Sequence, residues 1–217
     1  MKNSKLTQLS LLLAAYLLLA GNAHAAPVLI ADWNFNNSNL SVSHGTGTMT
    51  TDVTVYGFTG RAGTTVNAVS GDIAGAALNA PSEYSNTNQN GKSLQWEFSL
   101  SGYKDMVLTL AAFKSGGYTA GFSVDYRLGT SGAFTNVTTF NLAGSYTTMT
   151  ADFSTVTAVN NQSVVQVRLL FPQAGDWNAV VAFDNVQINA TVPEPSTVLM
   201  LGIAGASLLI YRRRSRV

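Results

Sequence analysis

The chain has 217 residues, of which 11% are charged and none is cysteine. This length suits one domain with short appendages, and the missing cysteines exclude disulfides, thiolate nucleophiles and cysteine-ligated metals. Six of the twelve basic residues lie at the two ends of the chain. The region between them, residues 27–192, has six basic and ten acidic residues, which gives it a formal charge of −4. Nucleic acid is therefore not an expected partner, because phosphates require a basic face.

The first 25 residues contain the three parts of a secretory signal peptide. Lys2 and Lys5 precede a short apolar run, 9–20, and the Ala-His-Ala tripeptide at 23–25 offers the small residues that a signal peptidase reads. The run is shorter than the ~20 residues that cross a bilayer comfortably. The pattern predicts a signal helix over 1–25, cleavage by signal peptidase, and export of the rest of the chain.

Residues 26–191 have the pattern of an all-β domain. Apolar and polar residues alternate most clearly in 29–35, 94–100, 122–128 and 165–171, as in half-buried strands. Turn signals rich in Gly and Asn separate these strands from further ones, predicted at 51–58, 106–113, 133–140, 148–153 and 179–189. Strands at this spacing without helical periods predict an antiparallel two-sheet β-sandwich, jelly-roll-like. The Gly/Ser/Thr/Asn-rich stretches 36–47 and 60–91 predict long loops on one rim.

Three stretches of this domain resemble jelly-roll modules of the carbohydrate-binding and laminin-G-like kind. They are the opening Ala-Asp-Trp-Asn-Phe at 31–35, the central Phe-Ser-Val-Asp-Tyr-Arg at 122–127, and the closing Phe-Asp-Asn-Val-Gln-Ile at 183–188. The resemblance implies the sandwich fold. It makes polysaccharide a candidate partner, although the fold hosts many functions.

Asp184 is a candidate metal ligand. It shares strand parity with Val186 and Ile188, so it is predicted to point the same way as core residues, where a carboxylate must be neutralised or paired. Oxygen ligands suit Ca²⁺, and Asp32 on the opening strand is the expected second ligand; the resembling modules also place a structural calcium where first and last strands meet. The alternative is that Asp184 and Asn185 mark a turn or a bulge.

A turn near the end of the domain offers a candidate ligand-binding group. Trp177 could stack on a sugar ring while Asp176 and Asn178 bond its hydroxyls. The alternative is a Trp side chain that folds back over the end of the sandwich.

Catalysis has few candidate residues. His24 would leave with the signal peptide, so a Ser-His-Asp triad would depend on His44 alone. A glycosidase needs two facing carboxylates, and Glu83 and Glu97 are the glutamates between the two ends. We therefore predict a non-catalytic surface or matrix module, with glycan binding as one option. The alternative is a polysaccharide-active enzyme, a glycosidase or lyase, that uses acidic residues.

The C-terminal segment 192–217 has the pattern of a membrane anchor. Pro193 and Pro195 end the sheet, because proline cannot donate to a strand ladder. The run 198–211 is apolar and contains small residues that let helices approach closely in lipid. A transmembrane helix is predicted here, with its far end held in the cytoplasm by the arginines that follow it directly: Arg212, Arg213, Arg214 and Arg216.

The order Pro193-Glu194-Pro195, apolar helix and arginine cluster resembles the PEP-CTERM sorting signal. The resemblance implies processing by an exosortase, a membrane transpeptidase-like enzyme, in a Gram-negative host that makes exopolysaccharide or biofilm matrix. The three motif residues would be elements that the exosortase recognises and would do no chemistry themselves. We therefore expect an inner-membrane-anchored precursor whose final location is the cell surface or outside the cell.

Overall fold

The computed structural model describes residues 25–53, 57–58, 60–80, 89–115, 121–171 and 180–193. The predicted signal helix, apart from residue 25, and the predicted C-terminal helix lie outside these ranges. Within the ranges, no helix has the length and apolar character that a membrane crossing needs. Residues Pro27–Val192 form one compact unit.

The described part of this unit contains eleven strands and one 3₁₀ helix, Thr157–Val159. In chain order the strands are β1 (Pro27–Trp33), β2 (His44–Gly45), β3 (Thr48–Thr51), β4 (Leu78–Ala80), β5 (Ser93–Phe98), β6 (Lys104–Lys114), β7 (Phe122–Leu128), β8 (Thr135–Phe140), β9 (Thr147–Asp152), β10 (Val165–Leu170) and β11 (Val181–Thr191).

The strands form two antiparallel sheets. Sheet 1 has the order β2-β1-β11-β6-β9, with β4 also paired to β11, and sheet 2 has the order β3-β5-β10-β7-β8. The long strands pair in a nested way: β1 with β11, β5 with β10, β6 with β9, and β7 with β8. This is a long hairpin folded over on itself, the jelly-roll arrangement. The all-β sandwich predicted from the alternating pattern is confirmed.

The core lies between the two sheets and is built by the apolar half of the alternation. In β5 the residues Leu94, Trp96 and Phe98 are buried while the residues between them are partly exposed. Trp33 brings a second fully buried indole from β1. The largest fully buried side chains are Trp33, Trp96, Phe35, Phe122, Phe153, Phe171 and Phe183.

One predicted strand is wrong in its bounds. The strand expected at 51–58 is β3, which ends at Thr51. Side-chain hydrogen bonds take over at that point: Thr51 Oγ1 accepts from Val53 N, and Asp52 Oδ1 accepts from Ser93 N. The bond to Val53 is local, and side-chain bonds of that kind compete with a strand ladder.

The stretch 60–91 was predicted as a rim loop, but it contains β4, and its part 60–77 lies against the outer face of sheet 1. Asn67 Nδ2 donates to Thr109 Oγ1 of β6 and to the carbonyl of Asn185 of β11. Asn185 Nδ2 in turn donates to the carbonyls of Thr64 and Val66. We call residues 60–77 the covering segment. Because of it, polar groups on this face are buried away from solvent.

Candidate functional site

Under the covering segment, two acidic residues and a histidine form a cluster. Asp32 on β1 and His44 on β2 are directly opposite each other in the strand register, so their side chains leave the same face of the sheet. The covering segment adds Asp72, whose Oδ2 accepts a hydrogen bond from Asn34 Nδ2 at 3.0 Å. We call Asp32, His44 and Asp72 the acid–histidine cluster.

The cluster is tight. His44 Nδ1 lies 3.1 Å from Asp32 Oδ2 and 3.8 Å from Asp72 Oδ2. One donor atom from each of the three residues lies within 4.8 Å of the others, a spacing that could hold a metal ion. The His44 side chain is 43% exposed, whereas that of Asp32 is fully buried. The cluster is therefore buried at Asp32 and accessible to solvent at His44.

The charge of Asp32 is only partly compensated. Burial raises the pKa of its carboxyl above the ordinary value; the hydrogen bond and charge of His44 oppose that increase, and the negative charge of Asp72 adds to it. Asp32 Oδ2 has His44 as its partner, but Asp32 Oδ1 is buried with no hydrogen-bond partner among the described residues. A buried carboxylate oxygen without a partner is costly.

Asp184, the second predicted calcium ligand, is also fully buried. Its Oδ2 accepts from Thr64 N at 2.7 Å and its Oδ1 accepts from Asn185 N at 2.8 Å. Burial raises the pKa of Asp184 to about 7; the two backbone donors oppose the increase, and the charges of Asp32 and Asp72 add to it. The three carboxyls thus share one electrostatic environment.

The backbone at Asp184 is irregular. The pairing of β11 with β6 shifts register between Asp184 and Gln187, and Asn185 has φ of +48°. A bulge of this kind re-aims side chains, and here it turns Asp184 towards Thr64 of the covering segment. The bulge was the alternative left open by the sequence. Calcium binding by Asp32 and Asp184 stays a prediction.

The outer face of sheet 2 carries a group of polar side chains that bond to each other. Gln166 on β10 links two neighbouring strands: its Oε1 accepts from Arg127 Nε of β7 at 2.6 Å, and its Nε2 donates to Glu97 Oε2 of β5 at 2.5 Å. On the same β10, Arg168 donates from Nε to Asp125 Oδ2 at 2.9 Å. These side chains form a flat polar layer, which we call the polar face.

The layer includes an aromatic ring and further donors. The guanidinium carbons of Arg127 and Arg168 lie 4.5 and 4.1 Å from the centre of the Phe134 ring. Asp125 Oδ1 accepts from Ser123 Oγ and from Asn136 Nδ2, each at 2.9 Å. The arginines are therefore fixed both by hydrogen bonds and by cation–π contacts.

Most other predicted site residues lie outside the described ranges. These are the turn residues Asp176, Trp177 and Asn178, the motif residues Glu194 and Pro195, and the arginines Arg212, Arg213, Arg214 and Arg216. Pro193 is described and is exposed. No side-chain arrangement is assigned to the others, and their roles stay predictions.

Sequence reasoning missed His44 and Asp72 as neighbours of Asp32. His44 lies between a Ser and a Gly, in a stretch where apolar and polar residues do not alternate. It was therefore expected in a solvated loop. The available signal was the short distance along the chain from β1, since consecutive elements are usually adjacent in space. Asp72 gave no local signal, because its position depends on how the covering segment folds.

No curated protein matches the chain. Among solved structures, CBM4 is similar over 74% of this chain and 85% of its own, at 15% identity and a TM-score of 0.42. The CBM29_1 carbohydrate-binding module from Piromyces equi is similar over 78% and 92%, at 12% identity and a TM-score of 0.41. The Stig cyclase Fisc from Fischerella is similar over 80% and 93%, at 17% identity and a TM-score of 0.39. Likeness at this level carries no function to this chain.

The family comparison concerns the C-terminal end. The model of the PEP-CTERM protein-sorting motif matches residues 191–215, which begin at the last residue of β11. The match includes the Pro-Glu-Pro sequence at 193–195, the apolar run, and three of the four arginines. Residues 191–215 are a PEP-CTERM protein-sorting motif, which implies export and membrane anchoring through this region.

Proposed function

We propose that this chain is a PEP-CTERM-sorted surface protein whose β-sandwich binds polysaccharide and catalyses no reaction. The sorting motif at 191–215 is the observation that supports sorting to the surface. In this proposal signal peptidase removes 1–25, the C-terminal helix holds the precursor in the inner membrane with its arginines in the cytoplasm, and an exosortase processes the chain at Pro193-Glu194-Pro195. The product then stays at the cell surface or enters the matrix.

The polar face supports polysaccharide as the ligand. Sugars present hydroxyl groups that both donate and accept, and the face offers three partly exposed planar side chains to bond them: Glu97, Arg127 and Arg168. The buried Gln166 and Asp125 hold these three in place. Their geometry is preset by bonds to each other, so binding would freeze little side-chain motion. Beside Glu97, a shallow hollow lined by threonine and serine side chains extends the surface.

The same bonds favour binding over hydrolysis. A glycosidase needs one carboxyl that releases a proton to the leaving group and a second across the bond. On this face, Glu97 accepts from Gln166, and Asp125 accepts from Arg168, Ser123 and Asn136. Both carboxylates are therefore committed to neighbouring side chains. Polysaccharide cleavage by acidic residues is the competing function, and the experiment below distinguishes cleavage from binding.

The experiment is a glycan array probed with the full chain in mild detergent, beside a reducing-sugar assay on the same polymers. We expect binding without release of sugar ends. Gln95, partly exposed on β5, lies opposite Arg168 in the strand register and so on the polar face. Gln95→Ala and Arg127→Ala should weaken binding, whereas Thr148→Ala on β9 of sheet 1 is the matched control. Release of reducing ends that Glu97→Gln abolishes would replace the binding function with the enzyme.

A further inference from the structure

The acid–histidine cluster has the spacing of a metal site. Ligand atoms held about 2.1 Å from one ion in a tetrahedral arrangement lie about 3.4 Å from each other. The two distances from His44 Nδ1, 3.1 Å to Asp32 Oδ2 and 3.8 Å to Asp72 Oδ2, bracket that value. The ligand atoms of Asp32 and Asp72 lie within 4.8 Å of each other, so one ion could lie among all three residues.

The buried oxygen is a second and independent indication. Asp32 is fully buried, and its Oδ1 has no hydrogen-bond partner among the described residues. Hydrogen bonding from His44 satisfies only the other oxygen. The negative charge of Asp72 adds to that of Asp32, so the two carboxylates leave the cluster short of positive charge. A bound cation would supply it.

The donor set decides the class of ion. One imidazole nitrogen with two carboxylates suits Zn²⁺ and its first-row neighbours. Calcium takes six to eight oxygens, whereas the cluster offers two carboxylates and a nitrogen, and the nearby Asp184 is oriented towards the backbone N–H groups of Thr64 and Asn185. The exposed side of His44 leaves room for water to complete the coordination.

We propose that Asp32, His44 and Asp72 form a binding site for one divalent transition-metal ion of the Zn²⁺ class. The three ligands come from β1, β2 and the covering segment. An ion there joins the edge of sheet 1 to the segment packed on its outer face. The site does not depend on polysaccharide binding by sheet 2.

The test uses the full chain in mild detergent, with an affinity tag that lacks histidine, stripped with EDTA and then dialysed. Calorimetric titration with ZnCl₂ should give saturable binding of one ion per chain. The melting temperature should rise with Zn²⁺, because an ion that binds the folded state stabilises it by mass action. Co²⁺ should give the visible absorption of a low-coordinate site.

Variants assign the ligands. His44→Ala and Asp72→Asn should each weaken Zn²⁺ binding about tenfold or more. Both residues are partly exposed, so melting in EDTA should show that the variants still fold. Asp105→Asn is the matched control: it removes a partly exposed carboxylate from the start of β6 at a positive φ that Asn tolerates.

The proposal fails if Zn²⁺ binding is absent or non-saturable, or if both ligand variants bind as the unmodified chain does. It also fails if Ca²⁺ raises the melting temperature more than Zn²⁺ at equal concentration, since that result would assign an oxygen-only calcium site.

Discussion

Raising the pH should destabilise this fold, and Asp184 should account for much of the effect. Its carboxyl is fully buried and its pKa is raised from 3.8 to about 7, largely by burial. The unfolded chain releases this proton above pH about 4, whereas the folded chain keeps it until pH about 7. The unfolded state therefore binds fewer protons in this window, and the free energy of unfolding falls as pH rises.

The size of the effect follows from the shift. A rise of about three pKa units, at about 1.4 kcal/mol each, gives a loss of up to about 4 kcal/mol between pH about 4 and about 7. Asp32, whose pKa is also raised by burial, changes stability in the same direction. Above pH about 7 the contribution of Asp184 is fully lost, and stability should level off.

Urea unfolding of the full chain in mild detergent measures this directly. Fluorescence is a suitable probe because Trp33 and Trp96 are fully buried, and EDTA in the buffer removes any contribution from a bound ion. The urea midpoint should fall as pH rises from about 5 to about 7. A midpoint that is constant or rises over this range in the unmodified chain would refute the reasoning.

The Asp184→Asn variant tests whether the Asp184 carboxyl causes the pH dependence. It removes the titrating carboxyl, so the pH dependence should flatten. Its NH₂ cannot accept, so the N–H of Thr64 or Asn185 loses an acceptor at a cost of about 1–3 kcal/mol. Asp52→Asn, which replaces a carboxylate near β3 that accepts from Ser93 N, should keep the slope. An Asp184→Asn variant with the full slope would assign the effect elsewhere.

Three further predictions follow from the fold and the tail. Residues 27–192 expressed alone should fold and melt cooperatively with a β-type circular dichroism spectrum; a helical spectrum would contradict this. Phe183→Ala should cost about 3–5 kcal/mol in urea unfolding, because the ring is fully buried against Phe122 and Phe171, while Phe183→Leu should cost less. Neutral replacements in the tail should disturb membrane retention and processing in fractionated cells, and unchanged fractions would count against the anchor; the replaced residues are Arg212, Arg213, Arg214 and Arg216.

The sandwich was predictable because its strands alternate. In β5 and β10 every second residue is apolar over the whole strand, and burial against the other sheet enforces that pattern. The strand expected at 51–58 was misplaced: at its start the side chain of Thr51 accepts from Val53 N, and that of Asp52 accepts from Ser93 N of β5. Sequence periodicity contains no information about such bonds.

The acid–histidine cluster could be predicted only in part. Asp184 was predicted to be buried, with Asp32 on the opening strand as its partner; both are fully buried, but the cluster joins Asp32 to His44 and Asp72. Asp72 lies forty residues from Asp32 and reaches it only because the covering segment folds back over sheet 1. Contacts of that kind depend on the tertiary fold, and they produce no periodic pattern of apolar residues in the sequence.

The nested pairing also sets the order in which this protein can be completed. Pro27, at the start of the first strand, lies opposite Thr191, at the end of the last. A chain that emerges N-terminus first therefore waits for nearly the whole domain before β1 acquires its partner, and pairing of such distant segments is slow. The sorting motif begins at residue 191, where the last strand ends, so the sheet can close only when the start of that motif emerges. Maturation of the sandwich and presentation of the motif are thereby coupled in time.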